Sequence, residues 1–278
     1  MSHGHVRGRV SAGLAIVPGM TQGPLTAPGA DLAVTADDSP TLAPEFRSDV
    51  TVELVRASAG DADVIFAARV STQGEQSLEA LEADPARSRG LINYLMRARH
   101  GTPFEHNSMT FYVQAPIFVF REFQRHRIAS YNEESGRYRE LRPVFYVPGR
   151  DRRLRQVGKP GHYEFLEGTP EQHALVSAET RRVCTEAYAA YQRMLAAGIA
   201  REVARIVLPL SIYSSMYVTM NARSLMNFLS LRTAREDSQF PSFPQREIEM
   251  CAERLEAEWS RLMPLTHAAF EANGRVAP

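Results

Sequence analysis

Hydrophobic and polar residues follow two spacings along this chain, a period of two and a period near 3.6. Residues 49–57, DVTVELVRA, and residues 108–114, SMTFYVQ, alternate as half-buried strands do. Between them, 61–70 and 85–99 have apolar residues at helical spacing, and Asp61 is placed to cap the first of these helices. The pattern predicts a strand, two helices and a second strand.

The second half of the chain is predicted to be more helical. Pro116 opens a helix through Arg127, because Ile117, Phe120 and Phe123 share one apolar stripe. The later segments are a surface loop over 141–165, a helix over 170–208, a strand over 211–220, a helix capped by Asn221 and an amphipathic helix over 244–264. Because strands do not alternate regularly with helices, we predict a single α/β (α+β) domain with a mainly antiparallel sheet packed against long helices.

Composition divides the chain into three parts. Residues 1–47 are rich in Gly, Pro, Ala, Thr and Asp without periodicity, which predicts a disordered N-terminal extension. Residues 48–264 form the predicted catalytic domain, and 265–278 a C-terminal tail. Two histidines in the extension, His3 and His5, are too flexible to make a metal site, and we predict no metal.

Composition also excludes several classes of protein. The chain has 278 residues and a formal net charge of zero, which disfavours a broad basic surface for nucleic acid. No apolar run approaches the roughly 20 residues of a membrane-spanning helix, and Gly and Pro interrupt the apolar patch near the start. The two cysteines, Cys184 and Cys251, have no metal-ligand spacing and fall in predicted helices. We expect a cytoplasmic protein with reduced thiols.

The strongest chemical signal is the run REFQRHRIASYNEESGRYRELR over 121–142, which contains six arginines and four glutamates. Such a run is often a solvated face of paired charges. Guanidinium groups also grip phosphates through two parallel hydrogen bonds, and the interleaved short polar residues suit a nucleotide ring. The residues of this cradle are Arg125, Arg127, Asn132, Glu133, Ser135, Gly136 and Arg137.

The order of residues in the run favours the second interpretation. RHRIASYNEESGR resembles the RHR and S-x-N-E-x-S-x-R signature of the flavin-dependent thymidylate synthases. HGTPFEH at 100–106, AREVARIVLPL at 200–210 and NARSLMNF at 221–228 resemble further segments of that family. The resemblance spans roughly residues 50–260.

The resemblance implies an enzyme that reductively methylates dUMP to dTMP. In this family 5,10-methylenetetrahydrofolate supplies the carbon, FAD reduced by NADPH supplies the hydride, and tetrahydrofolate is released. The family is homotetrameric with flavin at the subunit interfaces, so the expected partners are these small molecules and further copies of the chain.

The family's roles transfer to matching positions. The resemblance implies that Arg232 assists loss of the uracil ring proton, and that Arg205 reaches the substrate phosphate of a neighbouring subunit. The implied dUMP-binding residues are Glu122, Gln124, Arg125, Glu133, Ser135, Gly136, Arg137, Arg205 and Arg232. The implied FAD-binding residues are His100, Thr102, Arg125, His126, Arg127, Glu133, Asn221, Arg223 and Asn227.

Two features refine this hypothesis. The family usually has glutamine where this chain has Glu122, and a carboxylate would repel a phosphate. Glu122 therefore either turns outward to pair with an arginine or meets the ligand through its backbone.

Ser135 has no committed base beside it, and both cysteines are predicted to be buried, so a covalent nucleophile is not expected.

The sequence is also compatible with two other classes of function. An arginine-rich RNA-binding module would explain the cation clusters but predicts a basic chain. A regulatory protein that binds a nucleotide without turnover would keep the phosphate-binding arginines and need not keep the flavin residues. A yellow protein that NADPH bleaches would distinguish the enzyme from both.

Overall fold

The computed structural model describes residues 43–74, 85–159 and 162–278, all of which belong to one compact unit. The strands are β1 (Glu45–Arg47), β2 (Thr51–Ser58), β3 (Ser108–Pro116), β4 (Ser130–Glu133), β5 (Val144–Tyr146), β6 (Arg155–Lys159), β7 (His162–Leu166) and β8 (Tyr213–Met220). The helices are α1 (Asp61–Gln73), α2 (Pro85–Arg97), α3 (Ile117–Phe123), α4 (Pro170–Ala196), α5 (Arg201–Ala204), α6 (Ala222–Arg232), α7 (Arg246–Leu262) and α8 (Pro264–Ala272). No helix in these ranges is long and apolar enough to cross a membrane.

A four-stranded antiparallel sheet in the order β2-β3-β8-β4 forms the centre of the fold. Along β3, Met109, Phe111 and Val113 are buried and alternate with more exposed residues. Two smaller pairs complete the strands, β1 with β5 in parallel and β6 with β7 antiparallel. This architecture confirms the predicted fold class of a mainly antiparallel sheet with long helices.

The main core lies between this sheet and the helices α6 and α7. The predicted stripe of α7, Ile248, Cys251, Leu255 and Trp259, is fully buried and confirmed. Burying one such side chain stabilises the fold by roughly 1.5–3 kcal/mol. A second cluster packs α4 against β5, with Tyr191 buried among its members.

The folded part of the chain extends beyond the predicted domain of 48–264 at both ends. Residues 45–47, placed in the 1–47 extension, form β1 and pair with β5, while residues 1–42 lie outside the described residues. Residues 265–278, predicted to be a tail, contribute most of α8 and bury Phe270 and Arg275. The segment is too short to show an apolar period in the sequence, and its anchoring depends on contacts far along the chain.

The predicted loop over 141–165 is also wrong, because it contains β5, β6 and the start of β7. The prolines, glycines and arginines in this segment are typical of loops and hide the strands in the sequence. All of β6 is exposed, so its residues do not alternate between apolar and polar. The predicted helix over 170–208 ends at Ala196, where Gly198 adopts a left-handed φ of 78°.

Two helix ends differ from the prediction. Helix α3 ends at Phe123, so Arg125 lies in the turn after it and not on the helix. Gly60, not Asp61, caps α1, with its N–H donating to Asp63 Oδ2. The carboxylate of Asp61 instead accepts hydrogen bonds from the backbone of the first turn of α8.

Candidate active site

Helix α6 carries candidate residues at both ends. It starts directly after β8 because the Asn221 side chain accepts a hydrogen bond from Ser224 N at 2.8 Å, which confirms the predicted cap. Asn107 fixes the same end, since its Oδ1 accepts from Ala222 N at 2.7 Å and its Nδ2 donates to the carbonyl of Phe104 at 3.0 Å. The start of α6 is therefore tied to the turn that follows α2.

Arg223, in the first turn of α6, is held on two sides. Its Nε donates to a backbone oxygen of Pro278 at 2.7 Å, and its Nη1 pairs with the carboxylate of Glu105. Nη2 makes no hydrogen bond within the described residues, and 44% of the side chain is exposed. Arg223 therefore presents part of an oriented guanidinium to solvent.

Gly101 makes room for this guanidinium. A Cβ at residue 101 would lie 2.5 Å from Cζ of Arg223, although the Gly101 φ of −74° suits any residue. A side chain at residue 101 would therefore displace the end of the Arg223 side chain, so glycine matters here through close approach and not through backbone conformation. Beside it, the exposed His100 ring stacks on Tyr94 with centroids 5.9 Å apart, and Thr102 is exposed.

Arg232, in the last turn of α6, has a different environment. Its Nη1 forms an ion pair with Glu122 from α3, and its Nε donates to His126 Nε2 at 3.0 Å. The side chains of Arg232 and Glu122 are only 18% and 22% exposed. The structure thus brings together three predicted site residues that lie up to 110 positions apart.

His126 is neutral in this arrangement. Burial, followed by the positive charge of Arg232, lowers the pKa of His126 to about 4. A neutral ring can accept the hydrogen bond from Arg232, which a protonated ring cannot do. The Phe228 ring packs edge-on against His126 at 4.7 Å, and the Tyr131 hydroxyl lies 2.8 Å from the His126 carbonyl oxygen.

Glu122 resolves the question raised by its departure from the family. Of the two predicted alternatives, pairing with an arginine is correct, but the carboxylate turns inward and not outward. Burial raises the pKa of Glu122, the charge of Arg232 opposes this, and the charge of Glu247 adds to it. The positive charge of Arg232 therefore stabilises the ionised form of Glu122.

Three further predicted residues, Gln124, Glu133 and Arg205, line one cavity of about 380 Å³. Burial raises the pKa of Glu133, while the charges of Arg121 and Arg205 act against that rise. Two arginines, Arg121 and Arg205, and two carboxylates, Glu133 and Glu202, thus face a common space together with apolar walls.

The turn after β4 closes one side of this cavity. A Cβ at Gly136 would meet Leu141 Cδ1 at 3.0 Å and Arg205 Cδ at 3.3 Å, so the backbone approaches Arg205 closely. Arg137 Nε pairs with Glu202 at 2.9 Å, and Arg137 N donates to Ser135 Oγ at 3.3 Å. Ser135 thus caps a turn, and no base contacts it among the described residues.

The remaining predicted residues are exposed. Arg125, Arg127 and Asn227 lie at the surface, and the two arginines make no side-chain hydrogen bond or ion pair in the described part of the chain. One chain therefore holds the predicted residues in three groups, around Arg223, around Arg232 and around Arg205. Arg223 and Arg232 are separated by about 13 Å along α6, from nine residues at about 1.5 Å each.

The cysteines do not belong to any of these groups. Cys184 and Cys251 are free and buried, as predicted. Burial raises the pKa of both thiols, that of Cys251 to about 12. Neither cysteine can supply a thiolate near neutral pH.

Sequence reasoning missed several residues that shape the site. Gly101 and Asn107 lie within or beside the HGTPFEH segment, but only the fold shows which atoms they approach. Glu202, Tyr131 and Glu247 act through contacts with residues far along the chain. No periodicity or motif spacing marks such partners.

Comparison with known proteins agrees with this arrangement. Residues 53–265 match the family model described as thymidylate synthase complementing protein. The chain belongs to this family. Its flavin-dependent thymidylate synthase relatives include a protein of Streptomyces coelicolor, 71% identical over 84% of this chain and 96% of that protein, and one of Thermotoga neapolitana, 43% identical over 79% and 89%.

A solved structure of a similar protein supports the fold. The chain superimposes with a TM-score of 0.80 on a protein of Streptomyces cacaoi, PolB, that is described as a UMP/dUMP methylase bound with 5-Br UMP. That protein is 56% identical, and the match covers 85% of this chain and all of PolB. The α6 motif and the RHR run both lie inside the matched family region.

Proposed function

We infer that this protein is an FAD-dependent thymidylate synthase, which converts dUMP to dTMP by reductive methylation. The observation that supports this most directly is the convergence of the RHR run and the α6 motif. Arg232 contacts His126 and Glu122 within a chain whose family membership is established. The relatives named flavin-dependent thymidylate synthase indicate the same activity and a flavin cofactor.

The start of α6 suits a flavin nucleotide. Gly101 provides close backbone approach, and Arg223 offers unpaired N–H groups beside the exposed His100 and Thr102. We propose that FAD is bound there, with the family's remaining flavin contacts from Asn221, Asn227, Arg125, His126, Arg127 and Glu133. When bound, FAD accepts a hydride from NADPH and donates it during methyl formation.

The cavity beside Arg205 suits the substrate phosphate. Gln124, Glu133 and Arg205 line it, and Ser135, Gly136 and Arg137 form its adjoining turn. A dianionic phosphate is stabilised by such guanidinium and backbone N–H donors. We propose that Arg125 and Glu122 complete the dUMP site, Glu122 through its hold on Arg232.

Arg232 is proposed to act on the uracil ring. A guanidinium stays protonated at any physiological pH, so it stabilises the negative charge that develops when the ring loses its proton. His126, being neutral, orients Arg232 through Nε without adding a second positive charge. Glu122 holds the other side of the guanidinium.

We propose that 5,10-methylenetetrahydrofolate supplies the carbon, that NADPH reduces the flavin, and that the active form is a cytoplasmic homotetramer. Exposed apolar residues beside the Arg205 cavity support self-association: Tyr138 is 80% exposed and Ile206 75%, with Val203 and Leu210 nearby in sequence. Arg205 lies beside Gly136 of its own chain. Its family role toward a neighbouring subunit stays a prediction.

The decisive experiment combines colour with product analysis. The purified protein should be yellow, NADPH should bleach it faster when dUMP is present, and dTMP should accumulate when methylenetetrahydrofolate is added. UMP should be tested beside dUMP, because the Streptomyces cacaoi protein is described as a methylase of both nucleotides. A folded protein without bound flavin and without dTMP formation would refute the proposal.

The subunit arrangement has its own test. Arg137→Ala and Arg205→Ala chains, each inactive alone, should regain activity when mixed if one site uses residues of two subunits. Mixed chains that stay inactive would show that each site comes from a single chain. Light scattering of an active monomer would refute the tetramer.

A further inference from the structure

Residues 274–278, here called the strap, connect two parts of the candidate site that the family motifs do not link. The strap follows α8, and its Gly274 carbonyl accepts a hydrogen bond from Gln239 N at 3.0 Å. Further on, the carbonyl oxygens of Val276 and Ala277 accept from Arg99 Nη1 at 3.1 and 3.0 Å, and a backbone oxygen of Pro278 accepts from Arg223 Nε. Backbone oxygens of the strap thus hold Arg223, at the proposed flavin site, and Arg99, the residue before His100.

One side chain anchors the strap. The guanidinium of Arg275 is only 1% exposed, and it pairs with both carboxylate oxygens of Glu256 on α7, at 2.7 and 3.0 Å. Its Nη2 also donates to Thr233 Oγ1 at 3.0 Å, immediately after Arg232. Arg275 therefore joins the strap to α7 and to the end of α6.

The electrostatics of this anchor favour a permanent ion pair. Burial acts to raise the pKa of Glu256, but hydrogen bonds from His267 and Arg275, together with their charges, lower it to about 2. Glu256 is consequently ionised near neutral pH. A buried carboxylate of this kind requires the guanidinium opposite it.

Backbone conformation at two helix ends sets the path of the chain at the strap. Arg99 and Arg275 have left-handed φ angles of 62° and 56°, and no other non-glycine residue does so in the described part of the chain. Arg99 follows α2, where His100 N donates to the carbonyl oxygen of Leu95 at 2.9 Å, and Arg275 follows α8, where its own N donates to the carbonyl oxygen of Phe270 at 2.9 Å. Left-handed residues are common at such helix ends, so these angles are explained by the two terminations.

We propose that Arg275 is a positioning residue for flavin binding. By pinning the strap, it fixes the backbone oxygen that accepts from Arg223 Nε, and with Glu105 on Nη1 this sets the direction in which Nη2 faces solvent. An arginine oriented in advance loses less conformational entropy on binding. The inference rests on the proposed binding of FAD beside Arg223.

The test compares Arg275→Lys and Arg275→Met with the wild type in FAD affinity, KM for dUMP and melting temperature. Lysine keeps the charge opposite Glu256 but cannot reach both carboxylate oxygens and Thr233 together. We expect the Kd of FAD to rise about threefold in Arg275→Lys and at least tenfold in Arg275→Met. The KM for dUMP and the kcat at saturating FAD should stay within twofold.

Arg182→Lys is the control for the substitution itself, because Arg182 is likewise an arginine paired with carboxylates, those of Glu179 and Glu186, but it is exposed on α4 and does not belong to the strap. It should leave every parameter unchanged. Should Arg275→Met fail to fold, Arg275→Lys still decides the question, because partial loss of FAD affinity in a folded protein supports positioning.

Three outcomes separate the explanations. Unchanged FAD affinity in a folded variant would overturn the positioning role. Parallel losses of FAD affinity, dUMP affinity and melting temperature would also overturn it, by showing a purely structural role. A wild-type protein that binds dUMP but no FAD would overturn the proposed function, and this inference with it.

Discussion

The two ends of α6 place the same kind of side chain in opposite environments. Arg223 at the start of the helix is 44% exposed and keeps Nη2 without a partner in the described chain, whereas Arg232 at the end is 18% exposed and is paired with Glu122. Arg223 is held by one backbone oxygen and a surface carboxylate, and Arg232 by a half-buried carboxylate and a neutral imidazole. The comparison shows that packing, more than residue type, decides how much of an arginine is free to meet a ligand.

The largest expected effect follows from removing the charge at the buried end. Arg232→Gln should lower kcat by about 10²–10³, since one preorganised electrostatic donor in a closed site contributes on this scale. FAD should still bind, because the start of α6 is unchanged. Steady-state kinetics with flavin content measured in parallel checks this, and a kcat within threefold of wild type would contradict the assigned role.

The neutral imidazole at the same end should give a pH-dependent stability. The folded-state pKa of His126 is lowered from 6.5 to about 4, so its contribution is complete above pH 6.5 and is lost as the pH falls through 4. The loss amounts to about 3 kcal/mol. Urea unfolding of wild type and His126→Gln at several pH values should show this slope only in the wild type, and equal slopes would contradict it.

The exposed end should also be sensitive to the space around Arg223. Gly101→Ala places a methyl group against the Arg223 guanidinium, so we expect the Kd of FAD to rise roughly tenfold, or about 1.4 kcal/mol. Gly90→Ala on α2 is the control, because its Cβ would meet nothing within 4 Å. That variant should stabilise the helix by up to about 1 kcal/mol and leave FAD affinity unchanged. Equal FAD affinities in the two variants would contradict the close-approach argument.

The smallest effect concerns Glu122. Its raised pKa means that stability is complete below about pH 4.5 and is lost as the pH rises through the folded-state pKa. Glu122→Gln should therefore become more stable relative to wild type as the pH rises. Thermal melts across the acid range measure this, and a relative stability that falls with pH would reverse the sign.

The sequence predicts the elements around α6 well because their signals are local. The alternation of 108–114, the Asn221 cap and the α7 stripe each arise within a few residues, and the structure confirms all three. The RHR and NAR motifs likewise direct attention to Arg232 and His126, which the fold brings into contact.

What the sequence could not predict depends on distant contacts. The sequence predicts that Asp61 caps its own helix, yet its carboxylate accepts hydrogen bonds from the backbone of α8 about 200 positions away. The inward turn of Glu122 is decided by Arg232, and the burial of residues 265–278 by Glu256 and Thr233. None of these partners has a fixed spacing that a pattern could reveal.

The most direct test of the account is a reciprocal binding experiment on the two ends of α6. Arg223→Gln and Arg232→Gln are compared with the wild type by flavin fluorescence for FAD and by calorimetry of the flavin-loaded protein for dUMP. We expect Arg223→Gln to weaken FAD binding tenfold or more with dUMP affinity intact, and Arg232→Gln to weaken dUMP binding with FAD affinity intact. Equal losses of both ligands in both variants would contradict the division of roles along α6.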